Sequence, residues 1–91
     1  MPAAPRTDLT RALADAAARR RRELSMTQIE VARLAGCGPD FLYDLENGKP
    51  TLRLDKLLDV LSVLGLELRL ADGKGALTVA EALRAPAEPE R

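Results

Sequence analysis

Apolar residues recur at helical spacing over two long segments of the chain. The first segment begins at about Thr7, is rich in alanine and ends in the run RRRREL. Because alanine is the best intrinsic helix former, this spacing predicts a helix. The other segment, RLDKLLDVLSVLG, is the most amphipathic of the chain and stops at Gly65. The leucines that it places on one helix face are Leu54, Leu57, Leu58, Leu61 and Leu64.

A second helix is predicted to follow the arginine run. Thr27 precedes Glu30 by three residues, which is the spacing of a capping box, so this helix begins at Thr27. Gly36 ends it after about two turns, because glycine takes the positive φ with which a chain reverses after a helix.

The third helix begins at once after that turn. Gly38 is its cap, Pro39 occupies its first helical position, and Asp40 lies beside the positive end of the helix dipole. Asn47 or Gly48 ends it in a left-handed conformation. Its apolar side consists of Phe41, Leu42 and Leu45.

After the fourth helix the period changes to two, which predicts a short strand over residues 66–71. A strand needs a ladder for its backbone groups, and no other segment resembles a strand, so we expect pairing with the same strand of a second copy about a two-fold axis. In that ladder Glu67 faces Arg69 and helps to set the register. The alternative is an extended tail on the helical core. The residues expected at this dimer interface are Leu66, Glu67, Leu68, Arg69 and Leu70.

The two ends of the chain carry weaker signals. Residues 1–6 hold two prolines without periodicity and are expected to be a disordered lead-in. Thr78 and Glu81 repeat the capping-box spacing, which predicts two helical turns over TVAEALRA before a frayed tail. The expected organisation is a helical domain over residues 7–65, the strand over residues 66–71, and a turn, a short helix and a tail over residues 72–91.

Charge is balanced over the whole chain but not along it. The 14 Lys and Arg residues offset the 14 Asp and Glu residues, so no overall positive field draws the protein to nucleic acid. Residues 1–33 hold seven arginines against four acidic residues, whereas residues 34–91 hold seven basic and ten acidic residues. A polyanion therefore meets the N-terminal half first. The four arginines at positions 19–22 suit either the negative end of the helix dipole or a contact with phosphate.

Composition excludes several kinds of chemistry. Histidine is absent and Cys37 is the only cysteine, which removes disulfide frameworks, zinc-finger spacings and Cys/His or Ser/His catalytic arrangements. An enzyme is therefore the poorest interpretation, and no cofactor is expected. Cys37 is interpreted as a buried structural thiol, with a redox sensor as the alternative. Asp40 and Asp44 lie four apart on one helix face, which is more typical of a solvated face than of a metal pair.

Size and targeting signals complete the general picture. A chain of 91 residues forms one domain at most, and its small core favours association with a second copy. No apolar run approaches the roughly 20 residues that span a bilayer, and the N-terminus lacks the apolar region of a signal peptide. We therefore expect a cytoplasmic protein.

Residues 24–65 resemble the Xre/Cro-type helix-turn-helix family, through LSMTQIEVARLAGCG and FLYDLENGKP. More narrowly, FLYDLENGKPTLRLDKLLDVLSVLGLEL is similar to the HipB-type antitoxins of that family. The resemblance implies an all-α, lambda-repressor-like bundle of four to five helices, with a short C-terminal β-strand that pairs across a homodimer. It also implies a repressor that binds a double-stranded inverted-repeat operator, regulates its own operon and neutralises a HipA-type serine/threonine kinase toxin.

The resemblance further implies where this chain meets DNA. In the family, a glutamine at the start of the second helix contacts phosphate, and the loop after the recognition helix does so through its backbone and side chains. Base contacts come from the first turn and the outward positions of the recognition helix. The residues of this chain expected at DNA are Thr27, Gln28, Gly38, Pro39, Asp40, Tyr43, Asn47, Gly48, Lys49 and Arg53.

The base-reading positions depart from the pattern that would be ideal for DNA. Arg and Gln, which reach purines with two hydrogen bonds, are absent there. In their place, Asp40 can accept a hydrogen bond from cytosine N4, Pro39 can touch a thymine methyl, and Tyr43 can reach a base edge or a phosphate. Each of these contacts is weak alone.

Two neighbouring positions have structural alternatives. Asp44 is outward-facing but is interpreted as an ion-pair partner of Lys49 or Arg53 rather than a base reader. For Asn47, a role in ending the helix and nothing more is an equal alternative to phosphate contact.

Three functions are consistent with these observations: an antitoxin repressor, an Xre-type regulator without a toxin partner, and a protein-interaction module that has lost DNA binding. In the first two, DNA binding rests on backbone positioning, on the arginines at 19–22 and on indirect readout of operator shape. Pro39, Asp40 and the zero net charge favour the third. Ile29 and Leu34 fall where the family often carries polar residues, so they belong to a protein-binding patch if they are exposed.

Overall fold

The computed structural model describes residues 6–84, in which four α-helices are followed by one 3₁₀ turn. The helices are α1 (Arg6–Glu23), α2 (Gln28–Ala35), α3 (Pro39–Glu46) and α4 (Leu54–Leu64), and the 3₁₀ turn covers Glu81–Leu83. Both α1 and α2 pack against α3 and α4. The predicted lead-in lies outside the described residues except for Arg6, which begins α1, and the tail predicted beyond residue 84 also lies outside them. No helix within the described part is long and apolar enough to cross a membrane.

The core lies where the four helices meet, and it is aliphatic. Small side chains on α1 let the other helices approach its backbone closely, and larger aliphatic side chains of α2, α3 and α4 fill the space between them. Among the described residues, no polar or charged residue is buried as a whole. The buried residues are Ala14, Ala16, Ala17, Ala18, Val31, Ala32, Leu42, Leu45, Leu57, Val60, Leu61 and Leu64.

The predicted leucine face of α4 is confirmed for three residues and wrong for two. Leu57, Leu61 and Leu64 are buried, whereas Leu54 and Leu58 are 61% and 44% exposed. Leu58 lies about 100° around the helix from Leu57, outside the stripe that faces the core. Leu54 is the first residue of α4, where the other helices do not cover it.

The ends of the short helices are built as the sequence predicts. Thr27 is the N-cap of α2, and both hydrogen bonds of the capping box with Glu30 are present. Gly36 follows α2 with φ +74°, and Gly65 follows α4 with φ +73°, so both take the left-handed conformation that stops a helix. Gly38 caps α3 in an extended conformation, and Pro39 is its first residue.

The segment after α4 differs from the expected course. Residues 66–80 have no regular secondary structure, and no strand occurs among residues 6–84. The predicted helix at Thr78 is wrong, since only the 3₁₀ turn forms and Ala80 precedes it without a side-chain cap. Residues 78–84 are largely exposed, so unlike α2 and α3 they lack the core packing that offsets the cost of nucleating a short helix. The predicted strand requires a second copy to pair with, so it stays a prediction.

Ser25 gives a direct test of how the chain leaves α1. It is the non-glycine residue with positive φ among the described residues, at +58°. Side chains in this conformation crowd the backbone, so Ser25→Gly should raise the free energy of unfolding by about 0.5–1 kcal/mol in chemical denaturation. Gly36→Ala is the matched opposite change and should lower the free energy of unfolding. Nothing lies within 4 Å of the added Cβ, so only the backbone penalty of the positive φ remains. A destabilised Ser25→Gly variant would contradict this interpretation.

Candidate nucleic-acid interface

α2, a three-residue turn and α3 form a helix-turn-helix unit. Gly36 reverses the chain and donates its backbone N–H to the carbonyls of Ala32 and Arg33. Gly38 then begins α3 with its first turn at the surface, where Pro39 and Asp40 are exposed. The first turn of α3 is therefore open to a partner as large as a DNA duplex.

The carboxylate of Glu46 links three helices beside this unit. Arg21 of α1 donates to it twice, from Nε to Oε2 at 2.7 Å and from Nη2 to Oε1 at 2.9 Å. Gln28 at the start of α2 donates from Nε2 to Oε1 at 2.9 Å. The side chains of Arg21 and Glu46 are only 14% and 8% exposed, so these bonds form largely out of water. We call Arg21, Gln28 and Glu46 the Glu46 cluster.

The Glu46 cluster also orders the turn between α1 and α2. Nη1 of Arg21 donates to the carbonyl of Met26 at 2.9 Å. The hydrogen bond to Glu46 raises the pKa of Arg21, against burial, which lowers it. The guanidinium therefore remains charged, and its donors are distributed between α3 and the backbone that leads into α2.

Gln28, the residue expected at phosphate, is thus held by a protein contact. An amide nitrogen carries two hydrogens, and the bond to Glu46 uses one of them. The side chain is half-buried at the first position of α2, where unpaired backbone N–H groups also favour an anion. The cluster fixes the direction of the amide instead of leaving it to rotate freely.

The acidic positions of α3 differ in their surroundings. Asp44 Oδ2 lies 3.3 Å from Nζ of Lys49, which is one of the two ion-pair partners expected for it. The other, Arg53, pairs with Asp55 at 2.6 Å instead, and this hydrogen bond lowers the pKa of Asp55. Both pairs are well exposed, so they contribute little to stability and are open to exchange with other ions.

Tyr43 is the outward aromatic residue of α3, and its side chain reaches the surface on the same helix as Asp40. Tyr43 is 39% exposed. Its ring and hydroxyl are therefore available next to the exposed first turn of α3.

The first three residues of the turn between α3 and α4 use their backbone donors internally. The N–H groups of Asn47, Gly48 and Lys49 bond to the carbonyls of Tyr43, Leu45 and Asp44, at 3.0, 3.1 and 2.9 Å. These three donors are occupied in the free protein, and contact between this loop and phosphate stays a prediction. Gly48, at φ +78°, takes the left-handed conformation, and Asn47 caps α3 at φ −91°.

α1 contacts the outer side of the same turn. Thr10 donates from Oγ1 to the carbonyl of Gly48 at 2.7 Å, and Arg11 donates from Nη2 to the carbonyl of Asn47 at 3.0 Å. A Cβ on Gly48 would come within 2.7 Å of that Nη2 atom. The turn is therefore held by side chains of α1. A Cβ on Gly48 would displace only the end of the flexible Arg11 side chain, so the positive φ is what favours glycine there.

The arginine run at the end of α1 serves the fold more than the sequence suggests. Arg19 pairs with Glu23 at 3.1 Å and donates to the carbonyl of Arg84. Arg20 donates from Nε to the carbonyl of Leu64 at 2.9 Å, next to the end of α4. With Arg21 in the Glu46 cluster, three of the four arginines have structural roles, and exposed Arg22 has no ion pair within the described range.

Cys37 is half-buried against the core, in keeping with a structural thiol. Burial raises its pKa, although the nearby Lys56 lowers it, so the reactive thiolate is disfavoured. Among residues 6–84, no group of three or more Cys, Asp or Glu side chains is arranged to hold a metal ion.

Ile29 and Leu34 are 50% and 68% exposed, and exposure is the condition under which they were expected to belong to a protein-binding patch.

Comparison with known proteins identifies the class to which this fold and interface belong. A family model described as "Helix-turn-helix" matches residues 18–70, which is more than half of the chain. The chain therefore belongs to the helix-turn-helix family, of the Xre type.

Particular relatives refine that assignment. The chain is 46% identical over 48 residues to the "Uncharacterized HTH-type transcriptional regulator y4mF" of Sinorhizobium fredii, a match that covers 53% of this chain and 63% of that relative. The fold of the present chain is similar to that of a chain in a solved HipA-HipB-O2-O3 complex, with a TM-score of 0.63 and 26% identity over 81% of this chain and 99% of that one. A structure described as "MDT Protein" matches with the same values. The four-helix fold is thus of the HipB kind.

Two residues of the interface were not singled out in the sequence. Glu46 stands in the Leu-Glu-Asn-Gly string, and a signal for its role existed: an acidic residue at the C-terminal end of a helix opposes the helix dipole and needs a cationic partner. Arg11 gave no such signal, because its contact lies 36 residues away in the chain.

Removing the carboxylate tests the Glu46 cluster. Glu46→Ala leaves a largely buried arginine and an amide without their acceptor, so the free energy of unfolding should fall by about 2–4 kcal/mol. Chemical denaturation followed by circular dichroism measures this. Glu23→Ala is the control, because its pairs with Arg19 and Arg20 are solvent-exposed and worth at most about 1 kcal/mol. Equal losses in the two variants would show that the cluster contributes no more than a surface pair.

Proposed function

We propose that this chain is a sequence-specific DNA-binding transcriptional repressor that reads an inverted-repeat operator as a homodimer and acts as the antitoxin of a HipA-type serine/threonine kinase toxin. The observation that carries the DNA-binding part is the exposed first turn of α3, held in a helix-turn-helix by the Glu46 cluster. Membership of the Xre-type family supports it, since this unit places its second helix in the major groove.

Phosphate contacts anchor the domain in this proposal. Gln28 uses the second hydrogen of its amide, together with the N-terminus of α2, and Thr27 flanks it as the N-cap. Lys49 and the side chain of Asn47 provide contacts from the turn beside Gly48. When phosphate binds, the exposed Asp44–Lys49 pair opens and the cation moves to the stronger anion.

Base contacts come from a small set of residues on α3. Asp40 accepts from cytosine N4, Pro39 touches a thymine methyl, and Tyr43 reaches a base edge or a phosphate, while Gly38 lets the backbone approach closely. Arg53 contributes a cation at the start of α4 after it exchanges Asp55 for phosphate. These contacts alone specify few bases, so operator shape carries the rest of the discrimination.

The dimer is assigned to residues 66–70. Leu68 is 47% exposed and Leu70 fully exposed, on a segment that follows α4 without a ladder of its own within the described residues. Antiparallel pairing of two copies would satisfy the backbone groups and cover these leucines. Glu67 and Arg69 already attract each other at 2.7 Å within one copy, and across a ladder the same charges set the register.

The antitoxin part rests on likeness to a chain that was solved together with HipA. The two structures share the four-helix fold over nearly the whole of that chain. An Xre-type regulator without a toxin is the second candidate, and a gene for a HipA-type kinase beside this one separates the two. A third, an interaction module without DNA binding, is favoured by exposed Ile29 and Leu34 on α2.

DNA binding is tested with duplexes from the protein's own promoter by fluorescence anisotropy at two salt concentrations. We expect tight, salt-dependent binding that exceeds binding to scrambled duplex. The double variant Gln28→Ala/Lys49→Ala should bind at least about tenfold more weakly, with a salt slope smaller by about 1, because one cation and one oriented amide are lost.

Lys74→Ala is the matched control for that experiment. It removes the same charge from an exposed residue in the segment beyond α4, outside the proposed interface, and should leave affinity and slope unchanged. Wild-type protein that fails to prefer its promoter would favour the interaction module instead.

The dimer is tested by sedimentation equilibrium. Leu68→Asp/Leu70→Asp should convert the dimer to a monomer, because each strand would bring two carboxylates into the apolar contact. Leu34→Asp introduces a carboxylate at a leucine of α2 whose exposure, 68%, lies between those of Leu68 and Leu70, and it should leave the dimer intact. A dimer that survives the double change would place the interface elsewhere.

A further inference from the structure

The turn between α3 and α4 has a surplus of acceptors. The backbone N–H groups of its first three residues, Asn47, Gly48 and Lys49, are occupied within the turn, which follows the C-terminal, negative end of α3. Its carbonyls at Asn47 and Gly48 face α1, where side chains cover them. A phosphate that approaches residues 47–49 therefore meets no free backbone donor, and it needs a cation to offset the dipole.

Lys49 alone does not meet that need. Its ammonium group is paired with Asp44 at 3.3 Å, so the charge of the turn and the nearest charge of α3 cancel in the free protein. Both side chains are about half exposed, which leaves the pair available for exchange but gives no net attraction at a distance.

Arg11 is the second cation at this turn. Its Nη2 atom bonds to the Asn47 carbonyl at 3.0 Å and would lie 2.7 Å from a Cβ placed on Gly48. Its other contact is a long one, 3.5 Å from Nη1 to Asp15, and half of the Arg11 side chain is exposed. A guanidinium has five N–H donors, so these contacts leave donors free toward solvent.

We propose that Arg11 contacts a DNA backbone phosphate beside the α3–α4 turn, while its bond to the Asn47 carbonyl fixes the guanidinium in place. This inference rests on the proposed DNA-binding function and adds to it a contact from α1, outside the helix-turn-helix unit. In the free protein Asp15 holds the arginine weakly, and on binding the phosphate replaces that carboxylate. The planar guanidinium suits this task, because it can bond to a carbonyl and to a phosphate with different edges.

The salt dependence of operator binding distinguishes a phosphate contact from a structural one. Arg11→Gln should weaken binding about tenfold and lower the slope of log affinity against log salt by about 0.9, since one counterion fewer is released. Arg11→Lys keeps the charge and should retain most of the slope. Asp15→Asn removes the competing carboxylate and should raise affinity at low salt.

Arg33→Gln is the matched control, because it removes an exposed arginine from the far end of α2 relative to Gln28 and should leave the slope unchanged. Thermal denaturation of each variant confirms that the fold is intact. If Arg11→Gln binds more weakly with an unchanged slope, Arg11 only clamps the turn and the inference is overturned. If wild-type protein does not bind its promoter at all, the proposed function fails, which is a different outcome.

Discussion

The arrangement of α3, the helix proposed to contact bases, depends on the hydrogen bonds of the Glu46 carboxylate. It stands at the end of α3, where the helix dipole opposes a negative charge, and it is nearly excluded from water. Such a group is stable only with a cation and further donors, which Arg21 and Gln28 supply from α1 and α2. The aliphatic core beneath tolerates several packings of similar volume, whereas hydrogen bonds of fixed length select one of them.

The cations at the proposed interface share a second property, which is that each has an acidic partner in its own chain. Arg11 lies near Asp15, Lys49 near Asp44, and Arg53 near Asp55. These pairs are exposed, so opening them costs little, but they cancel the field that would otherwise attract any nucleic acid. If the proposed function holds, this arrangement and the zero net charge predict weak non-specific affinity and a strong dependence on operator shape.

Local signals in the sequence were sufficient for most of the helical fold. The capping box at Thr27, the turn at Gly36 and the proline at the start of α3 act within a few residues of the bonds they form, so spacing alone predicts them. The exposure of Leu54 and Leu58 was missed because periodicity does not tell how far neighbouring helices extend around α4. The pairing of Arg21 with Glu46 was missed for a related reason, since only the packed fold brings two residues 25 positions apart into contact.

Operator binding by the double variant Arg21→Met/Glu46→Met separates the two roles of the Glu46 cluster most directly. Replacing both charged partners by apolar side chains of similar length removes the cluster without leaving a buried charge, so the fold should keep its stability to within about 1–2 kcal/mol. If Glu46 orients Gln28 toward DNA, this stable variant binds the promoter duplex about tenfold more weakly than wild type. Wild-type affinity in the folded variant would contradict that role and would show that the cluster only holds the three helices together.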